Sequence, residues 1–256
     1  MDTKVKGGRV PKHTDPRILF LDIETAPNVA YVWGLFKQNI SHDQVEASSY
    51  ILCYTAMWAE EKALLYLART NPSMLKTIHA LLDEADIVVH YNGTKFDIPT
   101  LNKEFVKADM PPPSPYRQID LYRVVREAFR FESNKMDAVA KHLKIGEKVK
   151  HRGFELWVGC MKGDKECWSE MERYNRQDVV LLEKLYYRLR PWMTTHPHLG
   201  LYTGGSGACP TCGSTKLTKQ GVRVLKTLAY QQFKCLACGS WCRARQADKD
   251  RKVEYV

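Results

Sequence analysis

The chain has 256 residues, 44% hydrophobic and 27% charged, which suits one sizeable core with a small appendage. No apolar run approaches the roughly 18 residues of a membrane span, and the polar, basic start lacks the apolar stretch of a secretory signal; a cytoplasmic protein with no membrane partner is expected. The net charge of +10 points to a polyanionic partner, and residues 201–256 carry 10 Lys and Arg against 3 Asp and Glu, so the excess sits at the C-terminal end.

Residues 1–17 read as a basic arm. Ile18 to Leu21 are four apolar residues in a row, the pattern of a strand buried on both faces at the centre of a covered sheet. Asp22 and Glu24 follow, and the two-residue period of a strand puts both carboxylates on one face. Like charges that close raise each other's pKa or require a counter-cation, and hard divalent cations with oxygen ligands meet that need. The pair taken alone is also compatible with an ordinary loop start.

Val29 to Phe36 reads as a short second strand or an ordered loop, and Ser41 to Ser49 as irregular chain or one helical turn. Tyr50 to Trp58 and Lys62 to Leu67 are β-rich, and the short link between them predicts a hairpin. Met74, Leu75, Ile78, Leu81 and Leu82 recur at helical spacing behind an Asn71 cap with Pro72 at the first position, predicting a helix to Glu84. Asp86 to His90 is a short apolar strand. Asn92 to Asp97 follows and leads into a helix through Val106. Asp97 is either a helix cap or a polar group at a strand end facing a site.

Four prolines between Pro111 and Pro115 make a stiff surface connection. Gln118 to Tyr122 is a candidate edge strand that leads into a helix through Phe129, and Lys135 to Leu143 is another helix. Lys144 to Asp164 has no clear assignment. From Lys165 the chain is helical, most clearly over Met171 to Leu189. Tyr174 and Asp178 are four apart and share one helix face. Strands early, then strands alternating with helices, predict an α/β domain with a mixed sheet over residues 18–199. Residues 200–208 are a Gly-rich linker, 209–245 a second small domain and 246–256 a polar tail.

The acids form a recognisable set. Asp22-Ile-Glu24, Asn92-x3-Phe96-Asp97 and Tyr174-x3-Asp178, in that order, resemble the three motifs of the DEDD superfamily of 3′→5′ exonucleases, whose fold is ribonuclease H-like. The form of the second motif is most similar to the proofreading domain of family B DNA polymerases and to stand-alone bacterial or phage relatives. The resemblance covers roughly residues 17–192. The members carry either a Tyr four residues before the last Asp or a His five before it; Tyr174 stands at the first position and Arg173 at the second, so this chain resembles the tyrosine type.

The resemblance implies a three-layer α/β/α fold and a two-metal-ion hydrolysis of phosphodiesters, with Mg²⁺ or Mn²⁺ ions about 4 Å apart holding the attacking hydroxide and stabilising the leaving oxygen. It implies Asp22, Glu24 and Asp178 as ligands of one ion, Asp22 bridging to the second, and Asp97 supporting that second ion. Tyr174 would orient the attacking water, since a phenol with a pKa near ~10 is a poor base at neutral pH. Asp120 reads as a supporting residue. Asn92 either contacts the substrate backbone or closes a turn. Lys148, Lys150, His151 and Arg152 are either a basic patch along substrate phosphates or a solvated loop.

Eight cysteines in a cytosolic chain favour metal or free thiols over disulfides. Cys209-x2-Cys212-Gly and Cys235-x2-Cys238-Gly are two knuckles resembling a zinc ribbon, in which four thiolates close a tetrahedral structural Zn²⁺ site. Metal binding then supplies much of the folding energy of so small a module. Cys242 is an alternative to Cys238. Cys53 is expected to be buried, and Cys160 and Cys167 to be unrelated thiols. Tyr230, Phe233 and Trp241 lie among Lys226, Lys234, Arg243 and Arg245. Such interleaving suits single-stranded nucleic acid, or else builds a minimal core with a protein-binding surface. The combined expectation is a metal-dependent 3′→5′ exonuclease on nucleic acid, favouring single-stranded DNA. The alternatives are a ribonuclease or structure-specific nuclease, or a non-catalytic adaptor on the same fold.

Overall fold

A computed structural model describes residues 15–203 and 207–249; most of the basic arm, the middle of the linker and the end of the tail lie outside the described residues. The chain divides into two compact units, one spanning Arg17–Tyr186 and the other containing the chain from Tyr187 onward.

The first unit is built on a five-stranded mixed sheet. Its strand β1 (Ile18–Thr25) is followed by the two short strands β2 (Val29–Ala30) and β3 (Val45–Ala47), which pair with each other apart from the main sheet. Of the two readings of Val29 to Phe36, a short strand or an ordered loop, the first holds for Val29 and Ala30 and the second for the residues after them. Next come β4 (Ile51–Trp58) and β5 (Leu64–Ala68), the predicted hairpin. Helix α1 (Met74–Glu84) begins later than the expected cap at Asn71, because the Asn71 carboxamide oxygen is engaged by Ser73 N and Oγ at 2.9 and 2.8 Å. After it the chain runs through β6 (Ile87–His90), α2 (Asp97–Lys107), β7 (Arg117–Asp120), α3 (Leu121–Ala128) and α4 (Met136–His142). The stretch without a sequence assignment contains α5 (Phe154–Met161), and α6 (Lys165–Leu189) is 25 residues long.

The strand order is β5-β4-β1-β6-β7, with β1 at the centre. β1 is antiparallel to β4 and parallel to β6, β5 is antiparallel to β4, and β7 is parallel to β6. A strand covered on both faces needs apolar residues at every position, which is why Ile18 to Leu21 and all of β4 are buried. The side chains of β1 divide by parity. Leu19, Leu21 and Ile23 pack in one cluster with Met74, Ile78 and Leu82 of α1 and Leu101 and Phe105 of α2. Phe20 meets Tyr186 of α6 edge-on at 5.4 Å, and Leu52 and Cys53 pack on the same side with Leu156 and Cys160 of α5 and Cys167, Met171 and Tyr174 of α6. Helices therefore cover both faces, and the parity that sends Phe20 toward α6 sends Asp22 and Glu24 there as well.

In the second unit Gly200–Thr203 forms a helical turn, α7, where a flexible linker was expected. The strands β8 (Leu217–Val224), β9 (Ala229–Cys235) and β10 (Trp241–Arg243) make an antiparallel sheet in the order β10-β9-β8. No helix among the described residues is long and apolar enough to cross a membrane.

Candidate active site

Asp22 and Glu24 at the end of β1 meet Asp178 of α6, and one carboxylate oxygen of each lies within 4.8 Å of the others. Asp178 is fully buried, because from Val179 onward α6 presents apolar residues to the sheet and draws the preceding turn inward. Burial, and then the charges of Asp178, Glu24 and Asp97, push the Asp22 carboxyl well above the usual range. Burial and then Asp178 push Glu24 up to about 8, only partly offset by Lys148 and a hydrogen bond from Trp157. Asp178 is raised by burial against the opposing pull of Lys148. Its buried Oδ1 has no hydrogen-bond partner. Three crowded carboxylates with an orphaned, inward-facing oxygen are a donor set that fits a hard divalent cation.

Asp97 lies at the first position of α2 and outside that tight trio. Its Oδ1 accepts a hydrogen bond from Ile23 N at 3.2 Å, between the two acids of β1, and burial pushes its carboxyl to about 7 against that bond. The helix-start and site readings of Asp97 therefore merge: the side chain clamps the strand that carries Asp22 and Glu24. Asp120 supports the neighbouring turn, accepting from Asn92 N at 2.8 Å, Thr94 N at 3.3 Å and Tyr122 N at 3.1 Å. Asn92 itself has φ 65°, the left-handed conformation that Asn tolerates better than most residues. It lines a cavity of about 460 Å³ with Lys95, Tyr122, Arg123 and Arg126.

The basic segment before α5 splits. Lys148 enters the acidic cluster, where its ammonium ion-pairs with Asp178 Oδ2 and donates to Tyr174 Oη at 3.0 Å. Burial opposes its charge, but Asp178 and Tyr174 outweigh that and raise its pKa. It is thus a fixed cation inside the site rather than one strung along a surface. Arg152 is held elsewhere, with Nε 2.9 Å from Glu170 Oε2, and Lys150 is exposed. Burial, followed by the charges of Asp178 and Glu24, raises the Tyr174 phenol. Two neighbours carried no sequence signal of their own. Trp157 Nε1 donates to Glu24 Oε2 at 3.2 Å, and Asn175 Nδ2 donates to Asp22 Oδ2 at 2.7 Å. Only the adjacency of Asn175 to Tyr174 could have flagged the latter.

Residues 19–190 match the family model RNase_H_2 of the RNase_H superfamily. The chain belongs to the RNase H superfamily. Among solved structures, the family B DNA polymerase from the hyperthermophilic archaeon Pyrobaculum calidifontis is similar with a TM-score of 0.53 at 14% identity, over 83% of this chain and 31% of that one. The chain thus spans under a third of the polymerase's length, and the likeness is one of fold. No curated protein matches the sequence. Superfamily membership makes this a nuclease-like domain with nucleic acid as its expected substrate class, and Asp22, Glu24 and Asp178 form an acidic cluster within it.

The second unit carries the other ligand cluster. Cys209, Cys212, Cys235 and Cys238 bring their sulfurs within 4.8 Å of one another, and Cys242 stays outside. Each knuckle closes alike: Gly213 N donates to Cys209 O and Gly239 N to Cys235 O, both at 2.9 Å, with glycine φ values of 74° and 79° that disfavour a side chain. Burial opposes ionisation of Cys235, yet the backbone N–H groups of Cys238 and Ala237 pull its thiol down to about 7. In the first knuckle burial prevails and raises Cys209 and Cys212, so the fit to a closed four-thiolate site rests on the gathered sulfurs themselves. Arg243 lies over the Tyr230 ring at 4.0 Å and Lys234 over Trp241 at 5.8 Å, so these aromatics already hold cations of their own unit.

Proposed function

We propose that the protein is a divalent-metal-dependent 3′→5′ exonuclease acting on single-stranded nucleic acid, with DNA the favoured substrate, and that its cysteine unit binds one structural Zn²⁺ and assists in engaging substrate or partner. The observation that carries the reading is the meeting of Asp22, Glu24 and Asp178 at the covered end of the central strand, with Tyr174 one helical turn from Asp178. Asp22, Glu24 and Asp178, with Asp97 in support, would hold Mg²⁺ or Mn²⁺, which when bound supplies an activated water and stabilises the leaving 3′-oxygen.

The chain's own residues account for the rest. Tyr174 remains a phenol at neutral pH, and Lys148 fixes its oxygen from one side, so the hydroxyl can orient a water but not deprotonate it. Lys148 stays an ammonium and supplies positive charge where a phosphodiester's negative charge grows. Asn175 and Trp157 hold the Asp22 and Glu24 carboxylates in place. The apolar cover from α5 and α6 keeps bulk water from screening these charges. The polarity and the preference for DNA rest on the likeness of the motifs to polymerase proofreading domains.

The test is an end-labelled digestion panel of single- and double-stranded DNA and RNA with Mg²⁺, Mn²⁺ or EDTA. Stepwise shortening from the 3′ end of single-stranded DNA, abolished by EDTA, is expected. Internal cuts, shortening from the 5′ end, or cleavage that survives EDTA would overturn the proposal.

A further inference from the structure

The chain between β2 and β3 carries the most exposed large apolar side chains of the first unit. Trp33 is 99% exposed, Leu35 87% and Phe36 86%, and Tyr31 also faces solvent. The stem beneath them is fixed. Tyr31 N donates to Gln44 O at 2.9 Å, Gln44 Nε2 donates back to Tyr31 O at 3.0 Å, and Asn28 Oδ1 accepts from Ser49 N at 2.6 Å. Lys37 turns the tip with φ 54°, a conformation a non-glycine residue adopts at a cost. A pinned stem that presents an unpacked aromatic tip is unusual, because rings left in water forgo the burial that normally stabilises a fold.

Charge and chain continuity indicate what covers it. Between Glu24 and Asp43 there is no acidic residue, while Lys37 and the amides of Asn28, Gln38 and Asn39 are present. The loop also springs directly from the strand that carries the acids. Pro27, two residues before β2, lines a cavity of about 410 Å³ together with Thr25, His151, Gly153, Phe154 and Trp157. Trp157 also donates to the Glu24 carboxylate, so one side chain is shared between this cavity at the base of the loop and the acidic cluster. Flat rings beside a cation and amides, with the nearest acid of the segment, Asp43, at the stem rather than the tip, form a surface on which bases stack regardless of sequence.

We propose that the Tyr31–Ile40 loop is a base-stacking platform that holds single-stranded nucleic acid as its end enters the acidic site. The proposal rests on the nuclease reading above for the chemistry of its partner. It assigns Trp33 and Phe36 as the stacking residues, with Lys37 as a phosphate contact.

The experiment measures fluorescence anisotropy of phosphorothioate-linked oligothymidylate and oligouridylate on the full-length chain in EDTA, so that binding is read without turnover. Trp33→Ala with Phe36→Ala should raise Kd about 10–100-fold, the range expected for losing one or two stacked bases. Trp33→Phe with Phe36→Tyr should restore near wild-type affinity. The thermal midpoint should not move in either variant, because both side chains lie almost wholly in solvent. A blunt duplex should compete poorly, since its bases are already stacked. Loss with both oligonucleotides indicates a general stacking platform, and loss with one alone names its source. Unchanged affinity in the alanine variant, or equal competition by the duplex, overturns the proposal. So does a wild-type dimer that becomes monomeric in the variant with no change in strand affinity, which would make the loop a self-interface. Because the assay reads binding alone, loss of affinity in a chain that cleaves nothing would uphold the platform and reject the nuclease, and the converse result would do the reverse.

Discussion

Asp22 is surrounded by like charge, and that has consequences for stability as well as for catalysis. Burial first, and then Asp178, Glu24 and Asp97, raise its pKa, and Asn175 Nδ2 holds its Oδ2. Asp22→Asn keeps the shape and can keep the Asn175 bond while removing a carboxyl whose ionisation burial and its acidic neighbours oppose. The substitution is expected to abolish cleavage yet raise the melting temperature of the metal-free protein by about 2–4 °C at pH 8. Calorimetry in EDTA beside a cleavage assay checks both, and a lowered melting temperature would show that repulsion does not dominate there. Tyr174→Phe removes a hydroxyl but keeps the ring that packs against His151 at 4.9 Å. It should lower kcat while leaving metal affinity nearly unchanged, and an unaltered single-turnover rate would make Tyr174 structural. The protons obey the same logic. Glu24 is raised from 4.5 to about 8 and Asp97 from 3.8 to about 7, so the folded metal-free chain holds protons that the unfolded chain has lost. Their contribution is full below about pH 4 and disappears as pH rises toward 8. The gain in melting temperature on adding Mg²⁺ should therefore grow across pH 5–8, and a gain independent of pH would contradict the cluster's protonation.

At the scale of elements, the turn between β6 and α2 decides where Asp97 sits. Gly93 leaves no space there: a Cβ would lie 2.5 Å from Cγ and 2.7 Å from Nδ1 of His90, a fully buried ring whose Nδ1 already accepts from Gly93 N at 3.1 Å. Gly93→Ala is expected to cost about 1–3 kcal/mol of stability, the usual penalty for overpacking, and to weaken metal binding by displacing the start of α2. Urea unfolding and a Mn²⁺ titration test the two effects, and tolerance of the alanine would mean that the turn can move without cost. The same scale shows why α5 escaped sequence reading. Phe154–Met161 is apolar nearly all round, so it lacks the alternating faces that mark an amphipathic helix, and only its burial against α6 and β4 explains it.

Among the described residues the two clusters of metal-ligating side chains differ in kind: three carboxylates, a donor set suited to an exchangeable hard cation, and four thiols, a set suited to a closed site. Purified protein is expected to hold about one zinc per chain through dialysis against Mg²⁺-free buffer. Cys238→Ser should lose it and Cys242→Ser should retain it, as measured by elemental analysis. Zinc lost from both variants would place Cys242 among the ligands.

The sequence by itself determined the features that depend on neighbours along the chain. The period of a strand put Asp22 and Glu24 on one face, the turn of a helix aligned Tyr174 with Asp178, and the two C-x2-C-G knuckles paired the cysteines. The apolar run before Asp22 likewise placed that strand at the centre of a covered sheet. Only the tertiary structure decided which distant groups complete the site. Lys148 reaches Asp178 across 30 residues, Asp97 reaches Ile23 N across 74, and Trp157 reaches Glu24 across 133. No local pattern encodes such contacts, because they arise where separately specified elements pack. For the same reason the choice between strand and loop for Val29 to Phe36 lay outside the sequence: after β2 ends at Ala30 the apolar residues face solvent, since hydrophobicity predicts burial only where another element is present to bury against.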